Sequence, residues 1–167
     1  MKFDPRAARN TALLISITCV LIVFFYAFDL RINLSESHVS VGLWRAYPPV
    51  DINVGDVIIY DKDEYFRICP EAREERMSFL AGAIQKRVAA LPGARIELSG
   101  DAVMIDGVIY TEARILDDSW RKVEYPLTVP EGTVWLLANS KRAYDSRYHG
   151  PVPTRLIREK LSPVFVW

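Results

Sequence analysis

Cysteine and histidine are scarce in this chain, with two of each among 167 residues. Cys19 falls inside a long apolar run and Cys69 in a polar stretch beyond it, so the pair offers no disulfide framework. His38 and His149 stand alone, without the His/Cys spacing that holds a metal, so neither a metal nor any other cofactor is expected. Excess charge of either sign is also missing. Twenty-one basic side chains balance 21 acidic ones, which leaves no electrostatic footprint for nucleic acid. Internal repeats and low-complexity linkers are absent as well, and the length leaves room for one ordinary domain.

What is present begins with TALLISITCVLIVFFYAF, residues 11–28, which carries no charge. Roughly 18 helical residues reach about 27 Å, near the thickness of a bilayer's hydrocarbon core. The run reads as a single transmembrane helix. Lys2, Arg6 and Arg9 precede it, so the positive-inside bias places residues 1–10 in the cytoplasm and residues 33–167 on the outer, periplasmic side of the cytoplasmic membrane. A cleaved signal peptide is the competing reading, but Phe24, Phe25, Tyr26 and Phe28 fill the end where a cleavage site needs small residues.

Beyond the anchor, β-branched and aromatic runs alternate with Gly, Asp and Asn in residues 50–61, 94–110 and 132–139, the pattern of strands and tight turns. Asp106-Gly107 is a type I′ hairpin signal. One short helix is expected over Glu71 to Gln85, where Met77, Leu80, Ala81 and Ile84 recur at helical spacing. The exported part is therefore a mainly β domain.

Three blocks carry chemistry. Asn33 to Trp44 presents Ser35, Ser37 and Ser40 just beyond the anchor; in extended chain Ser35 and Ser37 share a face, so one can attack while the other donates a hydrogen bond. Lys86 opens the apolar run Lys86-Arg87-Val88-Ala-Ala-Leu-Pro92-Gly93. A lysine desolvated against such a run loses its preference for the charged form and can take a proton from a serine hydroxyl, with no histidine needed. His38 adjoins Ser37 and points to the opposite face of a strand, which argues against a Ser-His-Asp triad. The third block, Asp145-Ser146-Arg147-Tyr148-His149-Gly150, reads as a turn held by an Asp145–Arg147 ion pair.

In order and spacing these blocks resemble the signal peptidase I family of serine proteases, and most closely its TraF-type branch, which matures pilins for conjugative transfer. The resemblance implies a signal-peptidase-like β domain with Ser37 as nucleophile, Lys86 as general base, an oxyanion site made by the Ser37 amide and the Ser35 hydroxyl, and Asp145 and Arg147 as supporting residues. It implies an exported precursor protein or propilin as substrate, contact with membrane lipid through the N-terminal helix, and a place beside a conjugative secretion complex. The chain departs from the family pattern at Val39, where proline is usual, with one extra residue before Gly42, so Ser35 and Ser40 stay open as nucleophiles. It departs also at Ala143, where many relatives have a serine, at Ala138, where glycine is frequent, and in having Cys69 alone where TraF-type relatives often pair two cysteines. A general housekeeping type I signal peptidase and an inactive membrane-anchored β module that binds a pilus or secretion partner are the two rival functions.

Overall fold

In a computed structural model, residues 5–34, 39–72 and 83–167 are described. Helix α1 runs over Pro5–Ala27. Its stretch Ala8–Ala27 has a mean hydropathy of 2.1, none of it is buried against protein, and it is long and apolar enough to cross a membrane. The helix starts six residues before the uncharged run and stops one residue short of its end. Phe28 still bonds back to the Phe24 carbonyl at 3.1 Å, and Asp29, at φ 52, then turns the chain out of the helix in the left-handed conformation common at helix ends.

The rest is mainly β. A seven-stranded sheet is built from β1 (Leu30–Asn33), β2 (Gly42–Tyr47), β3 (Val57–Asp61), β4 (Ala83–Ala90), β9 (Thr133–Leu137), β10 (Val152–Pro153) and β11 (Ile157–Val166). Their order across the sheet is β1-β2-β11-β3-β4-β9-β10. A four-stranded sheet holds β5 (Arg95–Ser99), β6 (Ala102–Ile105), β7 (Val108–Arg114) and β8 (Leu127–Thr128) in the order β7-β6-β5-β8. Asp106 and Gly107 join β6 to β7 with φ of 48° and 81°, the two positive values that a type I′ turn requires.

Strand β4 serves two cores. Ile84 and Val88 pack with Ile58, Tyr60 and Leu136 on one side. A register shift between Val88 and Ala90 then turns Ala89 and Ala90 into a second cluster with Ile96, Val103 and Trp135 under the smaller sheet. One extra residue re-aims the strand in this way. A third cluster, Val39, Trp44, Ala46, Val57 and Leu161, lies at the β2–β11–β3 end.

Of the helix expected over residues 71–85, positions 73–82 lie outside the described residues. Pro70–Ala72 form a single 3-10 turn, and from Ala83 the chain is strand. Pairing of Tyr60 with Ile84 and of Ile59 with Gln85 sets a two-residue alternation there, and tertiary pairing overrides local helix propensity. A short helix instead follows β3 directly: α2, Lys62–Ile68, is capped by Asp61, whose carboxylate accepts from the Glu64 N–H at 3.0 Å. It places Tyr65 in the core, where its hydroxyl donates to the His149 carbonyl at 2.8 Å.

Gly42 sets how closely β2 and β11 approach. A Cβ at that position would lie 2.3 Å from the Phe165 carbonyl oxygen and 2.7 Å from the Val166 Cα, with φ at +156°. Gly42→Ala is expected to destabilise the detergent-solubilised protein by about 2–3 kcal/mol through backbone overlap and strain, read as a lower midpoint in urea.

Candidate active site

The site begins with a lysine in a hydrophobic face. Lys86 sits in β4 directly across from Ile58, between Ile84 and Val88, which share its side of the strand. It is 0% exposed. Burial brings the amine from its ordinary 10.5 down to about 8; the Asp145 carboxylate opposes that shift and the Arg147 charge adds to it. An amine so placed is a base at near-neutral pH, in the range a general base needs.

Asp145 and Arg147 are brought to this lysine by helix α3 (Ser146–His149), which Asp145 caps. Both are 0% exposed. Arg147 holds the carboxylate with two parallel bonds, Nε to Oδ1 at 2.8 Å and Nη2 to Oδ2 at 2.7 Å. The Ala138 N–H adds a third at 2.9 Å. Burial alone raises the Asp145 pKa, but these donors and the nearby Lys86 charge hold it below the ordinary carboxylate value, so it stays an anion. The rest of the guanidinium is spent on carbonyls: Ser140 at 2.8 Å, Lys141 at 3.2 Å, Ala143 at 3.3 Å and, on the smaller sheet, Arg114 at 3.3 Å. Ser146 accepts from the Leu136 N–H at 2.9 Å. The end of β9 is thus tied to α3 by two side chains, Asp145 and Ser146.

His149 belongs to the same buried group, although in sequence it stands isolated. It is 5% exposed, its Nδ1 lies 2.9 Å from the Gly150 carbonyl, and its ring packs on Tyr65 and Tyr144 with centroids 5.0 and 5.4 Å away. Burial takes its pKa from 6.5 to about 4, with Asp145 opposing and Lys86 assisting. It is therefore neutral near pH 7 and adds no charge beside the lysine.

Ser35, Ser37 and His38 lie outside the described residues, so of the expected site residues the structure brings Lys86, Asp145 and Arg147 together. The flanks of the serine segment are described. Asn33, at the end of β1, is buried and donates through Nδ2 to the carbonyls of Val39 at 2.9 Å and Ser40 at 3.0 Å. The Trp44 indole reaches the same Ser40 carbonyl at 3.2 Å, and Val39 is fully buried. A groove of about 570 Å³ opens one residue past Lys86, lined by Arg87, Val88, Tyr110, Glu112 and Ala138 among others. Among the described residues, no three His, Cys, Asp or Glu side chains cluster as metal ligands.

Two outcomes follow from the buried charges. Asp145→Ala leaves Arg147 buried without its carboxylate and should lower stability by about 3–5 kcal/mol, measured by urea unfolding. His149 has its folded-state pKa depressed, so the unfolded chain binds the proton more readily. Stability should therefore fall as pH drops from 6.5 through about 4, by about 3 kcal/mol in all, and His149→Gln should flatten that part of the stability curve.

The family described as signal peptidase, peptidase S26, matches residues 7–167. The chain is 33% identical over 155 residues to the conjugal transfer protein TraF of Agrobacterium tumefaciens strain 15955, with 82% of each chain covered. It is 35% identical over 157 residues to the protein of that name in Agrobacterium fabrum strain C58, again with 82% of each covered. A signal peptidase I from Enterococcus faecalis V583 aligns with a TM-score of 0.40 and 22% identity, over 64% of this chain and 93% of that one, too distant a likeness to carry weight beside the sequence matches. On those matches, and with a buried lysine at its centre, the chain belongs to the signal peptidase family, peptidase S26.

Proposed function

We propose that this chain is a membrane-anchored Ser-Lys endopeptidase that removes the leader of an exported precursor, with a propilin of a conjugative transfer system as its substrate. The observation that carries the reading is Lys86, 0% exposed with a pKa of about 8. A charged surface amine is useless as a base near neutrality, whereas this one gives up its proton readily. Family membership supports the reaction class, and the likeness to proteins described as conjugal transfer protein TraF supports a role in conjugal transfer.

In this mechanism the neutral Lys86 amine takes the proton from the Ser37 hydroxyl as its oxygen attacks the scissile carbonyl carbon. The oxyanion is held by the Ser37 amide and the Ser35 hydroxyl. The Lys86 ammonium then gives its proton to the leaving amine, the C–N bond breaks and a serine ester remains. Water, deprotonated in turn by Lys86, opens that ester and frees the acid. Asp145 and Arg147 touch no reacting atom; they set the charge around the lysine. Helix α1 anchors the chain in the cytoplasmic membrane with the catalytic domain on its outer side.

Processing of a purified propilin by the full chain tests this. Ser37→Ala and Lys86→Ala should each abolish cleavage, and Ser35→Ala should slow it on the order of a hundredfold, about 3 kcal/mol. Because the base must be unprotonated, kcat/KM should rise tenfold per pH unit below about 8 and level off above it. Full activity of Ser37→Ala, or a pH-independent rate across that range, contradicts the reading.

A further inference from the structure

The groove beside Lys86 runs on past the catalytic residues, and the mechanism above makes no use of its far part. Its near end is formed by Arg87 and Val88 of β4 and by Ala138 just after β9. A second hollow of about 440 Å³ continues it, sharing Val54, Ala89 and Tyr110 and reaching Gly93 and Asp106. Together they make one channel along the seam between the sheets, lined by β4 of the larger and β7 of the smaller. Strand β7 is an edge of its sheet, and a sheet edge accepts an extended chain beside it.

The lining says what kind of chain fits. Val54 is 57% exposed, Val108 61% and Ile109 49%, so large apolar groups along the channel meet water. Clustered exposure of this kind marks a contact site, because soluble domains rarely carry it. The charged side chains at the channel are already bonded to the protein. Arg87 donates to the Gly55 carbonyl at 2.9 Å, Glu112 pairs with Lys141 at 3.3 Å, and Asp106 accepts from the Arg95 N–H at 2.8 Å. Along Val54, Ala89 and Ile109 an entering side chain therefore finds apolar contact, and an ionised one would lose water there without a counter-ion.

We propose that the channel between β4 and β7 receives the first residues after the scissile bond, bound as an extended apolar segment, and that Val54 and Ile109 set a preference for uncharged side chains in it. The chain path gives the direction. Helix α1 leads into β1, at one edge of the larger sheet, and β2, β11 and β3 lie between β1 and β4. The channel opens from β4 towards β9 and the smaller sheet, away from the anchored edge. A precursor whose leader shares the bilayer with α1 reaches Lys86 from the anchored side, so the part beyond the cut leaves along the channel. Its β7 lining, Ile109 to Ala113, matches about five residues of extended chain at ~3.3 Å each. Contacts made there, remote from the reacting atoms, help to align the scissile bond. The inference rests on the leader-peptidase reading above.

Processing of the purified propilin by the full chain tests it. Two propilin variants carry Asp in place of an apolar residue, one within the five positions after the cut and one within the five before it. On the first, the wild-type enzyme should lose about tenfold or more in kcat/KM. Ile109→Lys on β7 and Val54→Lys on the loop before β3 each change an exposed side chain and leave the packing around Lys86 untouched. Each should cleave the after-cut Asp variant about tenfold faster than the wild-type enzyme does and the native propilin more slowly, with no gain on the before-cut variant. Rescue of the before-cut variant instead assigns the channel to the leader, and a preference unchanged in both enzyme variants assigns it to something other than substrate; either result overturns the proposal. Failure of the peptidase reading is seen separately, as no cleavage of native propilin by the wild-type enzyme.

Discussion

The architecture is organised around keeping one amine out of water. Moving Lys86 from 10.5 to about 8 corresponds to about 3 kcal/mol directed against folding. The sign is that of a depressed lysine: the penalty is full below pH 8 and is relieved as pH rises toward 10.5, where the unfolded chain loses its proton too. The apolar packing of Ile58, Ile84, Val88 and Leu136 around it must offset that penalty, and the same packing produces it. Stability and basicity are therefore set by one cluster of side chains.

A single anion beside the lysine makes the arrangement workable. Asp145 would restore the lysine's proton affinity if it acted alone, and an isolated buried carboxylate would itself be costly. Arg147 answers both problems. It keeps Asp145 ionised and contributes a positive charge that works against protonation of Lys86. Its remaining donors reach carbonyls of the loop after β9 and of Arg114 at the end of β7, so the electrostatic partner of the lysine also joins the two sheets. A change at Arg147 is thereby a change in domain packing as well as in charge.

Much of this was legible from residue order. The Lys86 block, the Asp106-Gly107 turn, the strands around residues 57–61 and 95–110 and the Asp145–Arg147 pair all carry local signals. Strand β11 does not. Ile157 to Val166 contains Arg158, Glu159, Lys160 and Pro163, a poor strand by composition. It is tolerated because its charged first half finds partners, Lys160 with Asp56 and Glu159 with Arg31, while Pro163 falls where β11 pairs with β2 alone, so its missing N–H faces no second strand. His149 was equally hidden, since its neighbours Tyr65 and Tyr144 come from distant parts of the chain and only the fold gathers them. Asn33 stands beside the serines in sequence, yet nothing local reveals that its amide grips both carbonyls at the far end of their segment.

The position of β11 bears on how the protein is made. This strand, latest in chain order, lies between β2 and β3 near the middle of the larger sheet, whereas β1 directly follows the apolar helix. Strands β2 and β3 therefore wait for their common neighbour while more than a hundred further residues are synthesised, and such long-range closure is slow and leaves sheet edges open to wrong partners.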